Sequence, residues 1–299
     1  MSIAYSDYVK RPGQEYNYTV EEARELLKCS EDFYYFLKYV HIIHPDDGRI
    51  PFEPYQYQLD IFDLILNNRF LVAMVSRQSG KSTLVAVYLV WYSIFNKDKN
   101  VGVVSNKEES AIDIVDRCKL IYEELPEFLK PGITEYNKKT IVFENGTTIK
   151  GAATSKNSFR GRTMNIIFAD ELAFVEPAWL ADAFWMSNYP TISKSRESKF
   201  IIVSTPNGLG NLFHSIFTKA EKGINAFKFY KADWRCVPER DDKWAAQERS
   251  NMGKLRFNQE YGCISSKTPI CISNSETGEV ETITIGEFYE RLQRENTTI

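Results

Sequence analysis

The stretch VSRQSGKST, residues 75–83, decides the fold of this chain. The apolar run RFLVAMV leads into it, as a buried strand does, and STLVAVYLVWYSIF continues from it with the length and composition of a helix. A loop between a strand and a helix exposes backbone N–H groups next to the positive end of the helix dipole, and both attract phosphate groups. The stretch therefore predicts a phosphate-binding loop.

Individual residues of this loop have predicted roles. Lys81 reaches the β- and γ-phosphates of a nucleotide, and the Ser82 hydroxyl ligates Mg²⁺. Val75 stands where the signature G-x-x-x-x-G-K-[ST] has glycine, so the loop is a deviant Walker A motif, and an ordinary glycine-containing helix start is the alternative. The other loop residues expected to surround the nucleotide are Ser76, Arg77, Gln78, Ser79, Gly80 and Thr83.

Strand-like and helix-like runs alternate from about residue 70. NVGVVS, NIIFAD and KFIIVST are short and nearly all apolar, as strands buried on both faces are, and longer helical runs separate them. This alternation predicts βαβ units, and thus an α/β fold with a mostly parallel sheet. Glu144-Asn145-Gly146 lies between two alternating runs and predicts a hairpin with a tight turn. Residues 19–44 predict two short helices, with Thr19 and Ser30 as N-caps.

Polar residues end two of the predicted strands. IIFADE finishes with Asp170, which is expected to hold Mg²⁺ through water, and Glu171, which is expected to orient or deprotonate the attacking water. IIVSTPNG finishes with Ser204 and Thr205, which can sense whether the γ-phosphate is present. A solvated strand end or a helix cap is the alternative for the two carboxylates.

Two residues upstream of the loop are candidates for contacts with the base. Tyr55 offers a stacking face, and the Gln56 amide can pair with the donor and acceptor edges of adenine. Taken alone, these two residues fit a helix surface equally well.

Composition limits the remaining possibilities. A chain of 299 residues with 43% hydrophobic residues can fill a large core, and its net charge of -3 means that contact with nucleic acid needs a local patch or partner subunits. The five cysteines lack disulfide or zinc spacing, which favours a reducing compartment. No run approaches the ~20 apolar residues of a membrane span, and we find no export signal. We therefore expect an intracellular protein without a membrane partner.

Residues from about 50 to 262 resemble the ATPase domain of the large terminase subunit, the DNA-packaging motor of tailed bacteriophages. The motifs that carry the resemblance are SRQSGKST, FNKDKNVGVVSNKEES, LPEFLKPGI, NSFRGRTMN, IIFADELAF and IIVSTPNGLGNLF. The resemblance implies a P-loop NTPase fold of the RecA/ASCE-like type, with ATP and Mg²⁺ as cofactors. It also fits the deviant first position, which that family tolerates.

The resemblance extends to individual residues. Arg77 matches the loop arginine that contacts the γ-phosphate, and Gln56 matches the adenine reader. Ser204 and Thr205 match the coupling motif, and the loop lysine, the loop serine and the acidic pair keep the roles given above. Arg160 is a candidate arginine finger for a neighbouring subunit, with a phosphate contact, a DNA contact or a surface position as alternatives.

The resemblance implies partners and a location as well. We expect a homo-oligomeric ring on the capsid portal that moves double-stranded DNA, a small terminase subunit as partner, and a protein of the host cytoplasm that is transiently on the procapsid. The family also carries a C-terminal nuclease domain, and we expect no nuclease activity from this chain by itself. A helicase-like DNA-dependent ATPase and a non-catalytic structural protein with a degenerate nucleotide site are the rival hypotheses.

The sequence changes character at Cys263. CISSKTPICISNSETGEVETITIGEFYERL resembles the start of an intein, with alternation at Thr268 and Ile270 and a hairpin turn at residues 276–278. In that family the first thiol attacks the preceding carbonyl, here that of Gly262. The alternative is a native hairpin that leads to the nuclease domain. Splicing would need a C-terminal partner, either a separate split-intein chain or the rest of a contiguous intein.

These expectations divide the chain into three parts. Residues 1–50 form a helical lead-in or lid, residues 51–262 form the ATPase domain, and residues 263–299 form a small β-rich fragment of a Hint-type intein.

Overall fold

A computed structural model describes residues 8–44, 46–193, 195–263, 269–273 and 280–296. The α-helices are α1 (Val20–Glu31), α2 (Phe33–Phe36), α3 (Gln56–Asn67), α4 (Lys81–Phe95), α5 (Glu108–Glu124), α6 (Ala178–Ser193), α7 (Leu212–Glu221), α8 (Asp242–Met252), α9 (Lys254–Glu260) and α10 (Ile285–Asn296). Short 3-10 helices cover Leu37–Tyr39, Glu127–Leu129, Leu172–Phe174 and Trp234–Cys236. Within the described part of the chain, no helix combines the length and apolar character needed to cross a bilayer.

The strands are β1 (His41–His44), β2 (Gly48–Pro51), β3 (Phe70–Val75), β4 (Asn100–Ser105), β5 (Ile133–Asn137), β6 (Thr140–Phe143), β7 (Thr148–Ala153), β8 (Ile166–Asp170), β9 (Lys199–Ser204), β10 (Lys228–Ala232), β11 (Pro269–Ser273) and β12 (Val280–Thr284). Among the described strands, eight form one sheet in the order β10-β3-β9-β8-β4-β7-β6-β5. The pairs from β10 to β7 are parallel, and β6 pairs antiparallel with both β7 and β5. The predicted α/β fold with a mostly parallel sheet is confirmed.

Helices cover both faces of this sheet, and β3 shows how the sequence achieves it. Leu71 and Val75 point into the core formed with α3, α4 and α5, whereas Phe70 and Met74 point into the core formed with α6 and α7. Alternate residues of a strand face opposite sides, so a strand buried on both sides must be apolar throughout. The same reasoning explains β8 and β9, whose residues are almost all buried.

The predicted hairpin at residues 144–146 is confirmed, because β6 and β7 flank it as an antiparallel pair. Gly146 has φ 83°, and an added Cβ would collide with Asp98 Oδ1. Only glycine fits this turn without displacing its neighbour.

The first 50 residues agree in part with the prediction. Thr19 caps α1 through a capping box with Glu22, as expected. The second helix begins later than predicted, because Asp32 rather than Ser30 is its N-cap. Residues 41–44 are not helical but form β1, which pairs with β2. Adjacent β-branched isoleucines in this segment favour the extended conformation.

The C-terminal region contains a second kind of structure. α9 ends at Glu260, in agreement with the predicted helix, and β11 and β12 then form a separate antiparallel pair. The predicted turn residues 276–278 and Thr268 lie outside the described residues. α10 was not predicted; Thr284 caps it by accepting a hydrogen bond from the Glu287 N–H at 3.2 Å.

Candidate functional site at the carboxyl edge of the sheet

Three adjacent strands bring the predicted site residues together. β9 lies between β3 and β8, and all three run parallel, so their carboxyl ends meet at one edge. The phosphate loop follows β3, the acidic pair ends β8, and Ser204 and Thr205 end β9. Ligands of open parallel sheets bind at this edge.

The Glu171 carboxylate joins the three strand ends. Its Oε1 forms an ion pair with the Nζ of Lys81, which is largely buried. Its Oε2 accepts hydrogen bonds from Ser204 Oγ at 3.1 Å, Thr205 Oγ1 at 2.9 Å and the Thr205 N–H at 3.0 Å. Glu171 has φ 51°, a left-handed conformation that a non-glycine residue adopts at an energetic cost. Its carboxylate is therefore fixed by four contacts on an unusual backbone.

Asp170 lies beneath this carboxylate and is buried. Its Oδ1 has no hydrogen-bond partner among the described residues. Burial, and then the neighbouring charge of Glu171, raise the pKa of Asp170. An unpartnered buried carboxylate oxygen beside the half-buried Ser82 fits a hard cation, which prefers oxygen ligands.

The phosphate loop has the backbone geometry of an anion-binding turn. Gln78 has φ 53° and Gly80 has φ 85°. An added Cβ on Gly80 would lie 2.9 Å from Gln58 Nε2, so the loop needs glycine both for its conformation and for the close approach of α3. Ser76 Oγ is buried without a described partner, and Ser79 Oγ donates to the Ser76 carbonyl at 2.6 Å.

Arg77 points away from the other loop residues. Its Nη1 pairs with Glu260 Oε2 at 3.0 Å, and its backbone N–H donates to the Glu260 carbonyl at 2.9 Å. Glu260 raises the pKa of Arg77 accordingly. Sequence reasoning missed Glu260, which no motif marks.

The two residues predicted to contact the base lie at the start of α3. The Tyr55 hydroxyl donates to Glu239 Oε1 at 2.9 Å, and the exposed Gln56 donates to Asp60 Oδ1 at 2.9 Å. Gln58 is the glutamine that packs against the loop: it is buried, and its Oε1 accepts from the Tyr55 N–H at 2.9 Å. Helical periodicity could have marked Gln58, since it shares the buried side of α3.

Thr83 lies at the border of the site. Its hydroxyl accepts a hydrogen bond from Arg117 Nη1 at 3.1 Å. Both residues line a cavity of about 290 Å³ between β1 and α5, with apolar walls that include Ile42 and Leu120. Thr83 thus contacts α5 on the outer side of the loop.

Arg160 lies on the connection between β7 and β8. Phe159, with φ 59°, is buried, and its ring occupies the space above Gly102 of β4. The Arg160 side chain is exposed. Within the described contacts, it does not reach Lys81 or Glu171.

Cys263 is buried beside β10. Its Sγ donates to the Ala232 carbonyl at 3.1 Å, its φ is 44°, and burial raises its pKa to about 12. The adjacent backbone is held by the Trp234 N–H, which donates to the Tyr261 carbonyl at 3.0 Å. In this arrangement the thiol is a protonated hydrogen-bond donor.

The model of one protein family matches most of the chain. Residues 72–275 match the N-terminal part of the terminase large subunit, T4likevirus-type. The chain belongs to this terminase family. The match begins in β3, includes every strand end described above, and continues past Cys263 to residue 275.

Solved structures of phage terminases share the fold. The large terminase ATPase domain of Thermus phage P74-26 is 24% identical, with a TM-score of 0.60 over 71% of this chain and 94% of that one. The HK97 bacteriophage large terminase is 14% identical, with a TM-score of 0.64 over 81% of this chain and 56% of that one. The large terminase of another thermophilic bacteriophage, in complex with ADP, is 11% identical, with a TM-score of 0.55 over 82% of this chain and 75% of that one. At these identities the comparison with terminases concerns the fold alone.

Proposed function

We propose that this chain hydrolyses Mg-ATP and uses the energy to package double-stranded DNA as a motor subunit of a viral terminase. The observation that carries the proposal is the joining of Lys81, Glu171 and Thr205 at the edge of β3, β8 and β9. A lysine, a carboxylate and a polar strand end are the groups that phosphoryl transfer to water requires. Membership of the terminase family, and the ADP complex of the thermophilic phage terminase, support the same conclusion.

ATP is expected to bind with its phosphates on the loop between β3 and α4. The backbone N–H groups of this loop and the N-terminus of α4 supply positive potential. Lys81 then exchanges its Glu171 partner for the β- and γ-phosphates. This exchange leaves the Glu171 carboxylate free to meet the attacking water.

The residues at the end of β8 and the start of α4 fit Mg²⁺. Asp170 would hold the ion through water, and the Ser82 hydroxyl would be a direct ligand. The ion supplies neutralisation of charge on the β- and γ-phosphate oxygens. The unpartnered Asp170 Oδ1 supports this assignment.

Glu171 is the proposed general base. It accepts a proton from water as the water oxygen bonds to the γ-phosphorus and the bond to the β-phosphate oxygen breaks. Ser204 and Thr205 hold Oε2 of Glu171, so they fix the direction of the carboxylate. Through the same contacts they can detect the loss of the γ-phosphate, as the coupling role requires.

Arg77 is proposed to contact the γ-phosphate, and Tyr55 and Gln56 to contact the base. Arg77 would have to leave Glu260 to do so. Arg160, exposed on its loop, is proposed as an arginine finger for a neighbouring subunit.

Measurement of ATP turnover with and without Mg²⁺ and duplex DNA tests this proposal. Glu171→Gln keeps the size of the side chain but removes the base, so we expect turnover to fall about 10²- to 10⁴-fold while ATP binding persists. Glu31→Gln, an exposed change on α1, is the matched control and is expected to turn over ATP like the wild type. Turnover that is absent from the wild type, or unchanged in Glu171→Gln, contradicts the proposal.

The packaging role needs partners. We propose a homo-oligomeric ring on the portal that works with a small terminase subunit in the host cytoplasm and grips DNA through its phosphates. Binding through phosphates weakens with salt and is indifferent to sequence. DNA binding measured at several salt concentrations with two unrelated duplexes checks this, and a strong sequence preference argues against it.

We also propose that Cys263 begins the N-terminal part of an intein. The proposal is supported by the β11–β12 pair, which forms its own two-stranded sheet among the described strands. Attack on the Gly262 carbonyl requires the Cys263 thiol to leave the Ala232 carbonyl and lose its proton. Because the family match extends past Cys263, a native hairpin is the competing interpretation.

Co-expression with a C-terminal intein partner distinguishes the two interpretations. Intact-mass measurement should show a ligated product that disappears in Cys263→Ala. If no partner gives a ligated product, the native hairpin is the better interpretation.

A further inference from the structure

A single arginine outside the phosphate loop holds two of its backbone carbonyls. Arg240 Nη1 donates to the Arg77 carbonyl at 3.1 Å, and Nη2 donates to the Gln78 carbonyl at 2.7 Å. Arg240 follows β10 and lies 163 residues from Arg77 in sequence. The guanidinium fork therefore fixes two successive peptide groups of the loop.

The peptides on either side are fixed in the same way. The Ser76 carbonyl accepts from Ser79 Oγ at 2.6 Å, and the Ser79 carbonyl accepts from the Tyr57 hydroxyl. Together with the two bonds of Arg240, each carbonyl from residue 76 to residue 79 has a side-chain donor.

This arrangement determines where the N–H groups point. A peptide is planar and trans, so its carbonyl and the following N–H point in opposite directions. When the carbonyls of Arg77 and Gln78 are held toward Arg240, the N–H groups of Gln78 and Ser79 turn to the other side of the loop. Successive N–H groups that point the same way form an anion-binding concavity.

Arg240 is itself held by aromatic rings. Its guanidinium carbon lies 4.9 Å from the centre of the Trp244 ring and 5.2 Å from that of Tyr261. These two rings pack edge to face at 5.1 Å. The residue is half-buried, so its fork has a defined position rather than that of a freely rotating surface side chain.

A second arginine of the same cluster provides a comparison. The Arg249 guanidinium lies 4.5 Å from the Phe257 ring centre and 5.9 Å from that of Trp234. Among the described contacts, Arg249 has no hydrogen bond to the phosphate loop. Loss of Arg249 therefore removes a similar ring contact but leaves the loop carbonyls in place.

We propose that Arg240 is a positioning residue for nucleotide binding, which orients the peptide groups of the phosphate loop toward the diphosphate by holding their carbonyls. The inference rests on the proposed binding of ATP at this loop. Arg240 acts equally on any ligand with two linked phosphates, since it acts through backbone N–H groups. It contributes to binding more than to the chemical step, because the loop contacts phosphates in the ground state and the transition state alike.

The test compares Arg240→Gln, Arg240→Lys and the control Arg249→Gln in the full chain. Binding of N-methylanthraniloyl-ADP (mant-ADP) is measured by fluorescence, its displacement by pyrophosphate gives the affinity for phosphates without a base, and ATP turnover gives kcat and KM. We expect Arg240→Gln to weaken mant-ADP and pyrophosphate binding about tenfold and to raise KM alike, with kcat changed less than about twofold. Arg240→Lys retains the charge and one donor direction, so its loss should be smaller. Arg249→Gln should bind both ligands like the wild type.

The outcomes separate the alternatives. Weaker mant-ADP binding with unchanged pyrophosphate binding would assign Arg240 to the base, and a fall in kcat at unchanged KM would assign it to catalysis or to folding; either overturns the inference. Equal losses in Arg240→Gln and Arg249→Gln would mean that the aromatic cluster, not the carbonyl contacts, matters. Failure of the wild type to bind mant-ADP would instead refute the proposed function.

Discussion

Thr205 donates both its backbone N–H and its hydroxyl to the same oxygen of Glu171, at 3.0 and 2.9 Å. The backbone bond depends on the position of β9, and the hydroxyl bond depends on the side chain alone. The two bonds can therefore be separated by mutation.

Thr205→Val removes the hydroxyl and keeps the shape of the side chain. We expect ATP turnover to fall about tenfold, since one hydrogen bond to a charged group contributes about 1.5–3 kcal/mol, while nucleotide binding stays unchanged. Thr191→Val removes a hydroxyl that bonds the Asn188 carbonyl at 2.7 Å in α6, and it should leave turnover unchanged. Equal turnover in wild type and Thr205→Val would show that the backbone bond alone orients Glu171.

Gly102→Ala should destabilise the fold. An added Cβ would lie 2.5 Å from Phe159 Cε2, so the ring must shift, and overpacking of this kind costs about 1–3 kcal/mol. The measurement is the free energy of unfolding in urea. Phe159→Leu in the same background makes room and should recover part of the loss, so the two changes will not be additive. Additive effects would mean that the ring is free to move.

Stability should depend on pH through His214, the third residue of α7. Burial, and then the charge of Lys222, lower its pKa. The unfolded chain consequently binds this proton more tightly, so the folded state loses stability as the pH falls through the ordinary histidine range near ~6.5 and below. Urea unfolding at about pH 7.5 and about pH 5.5 should show a larger loss for wild type than for His214→Gln. Between about pH 8 and 9, where the imidazole is neutral, this difference should not change; parallel curves at all pH values would contradict the prediction.

Cys263 and Cys236 should differ in their reactivity. Burial raises the pKa of Cys263 to about 12, so at about pH 8 roughly one thiol in 10,000 is ionised. Burial also raises the pKa of Cys236, which is only half-buried and therefore more accessible. Iodoacetamide followed by peptide mass spectrometry should show Cys236 modified first, and both modified alike in denaturant. Modification of Cys263 as fast as Cys236 in the folded protein would mean that the thiol leaves the Ala232 carbonyl readily.

Short apolar runs that end in polar residues made most of the site predictable. Lys81, Asp170, Glu171 and Thr205 each follow a strand that the sequence marks clearly, and a parallel sheet must bring such ends to one edge. No contact between them had to be known in advance. The fold class could be predicted for the same reason.

Other parts of the site depend on long-range packing. Arg240 and Glu260 reach the loop from beyond β10, and neither lies in a motif or at a periodic position that marks it. The two glutamines of α3 are a different case. Gln58 shares the buried side of the helix with Ile61 and Ile65, and Gln56 does not, so the helical period distinguishes them. Composition and spacing near the loop could not.

The strand order determines the width of the groove at the site. Neighbouring strands lie about 4.8 Å apart, so β9 separates β3 from β8 by about 9.6 Å. Direct neighbours would leave the lysine and the carboxylate only enough distance to touch each other. With one strand between them, the same two side chains can touch when the groove is empty and can stand on opposite sides of a phosphoryl group when it is filled. The inserted strand thus acts as a spacer whose thickness matches the group to be transferred.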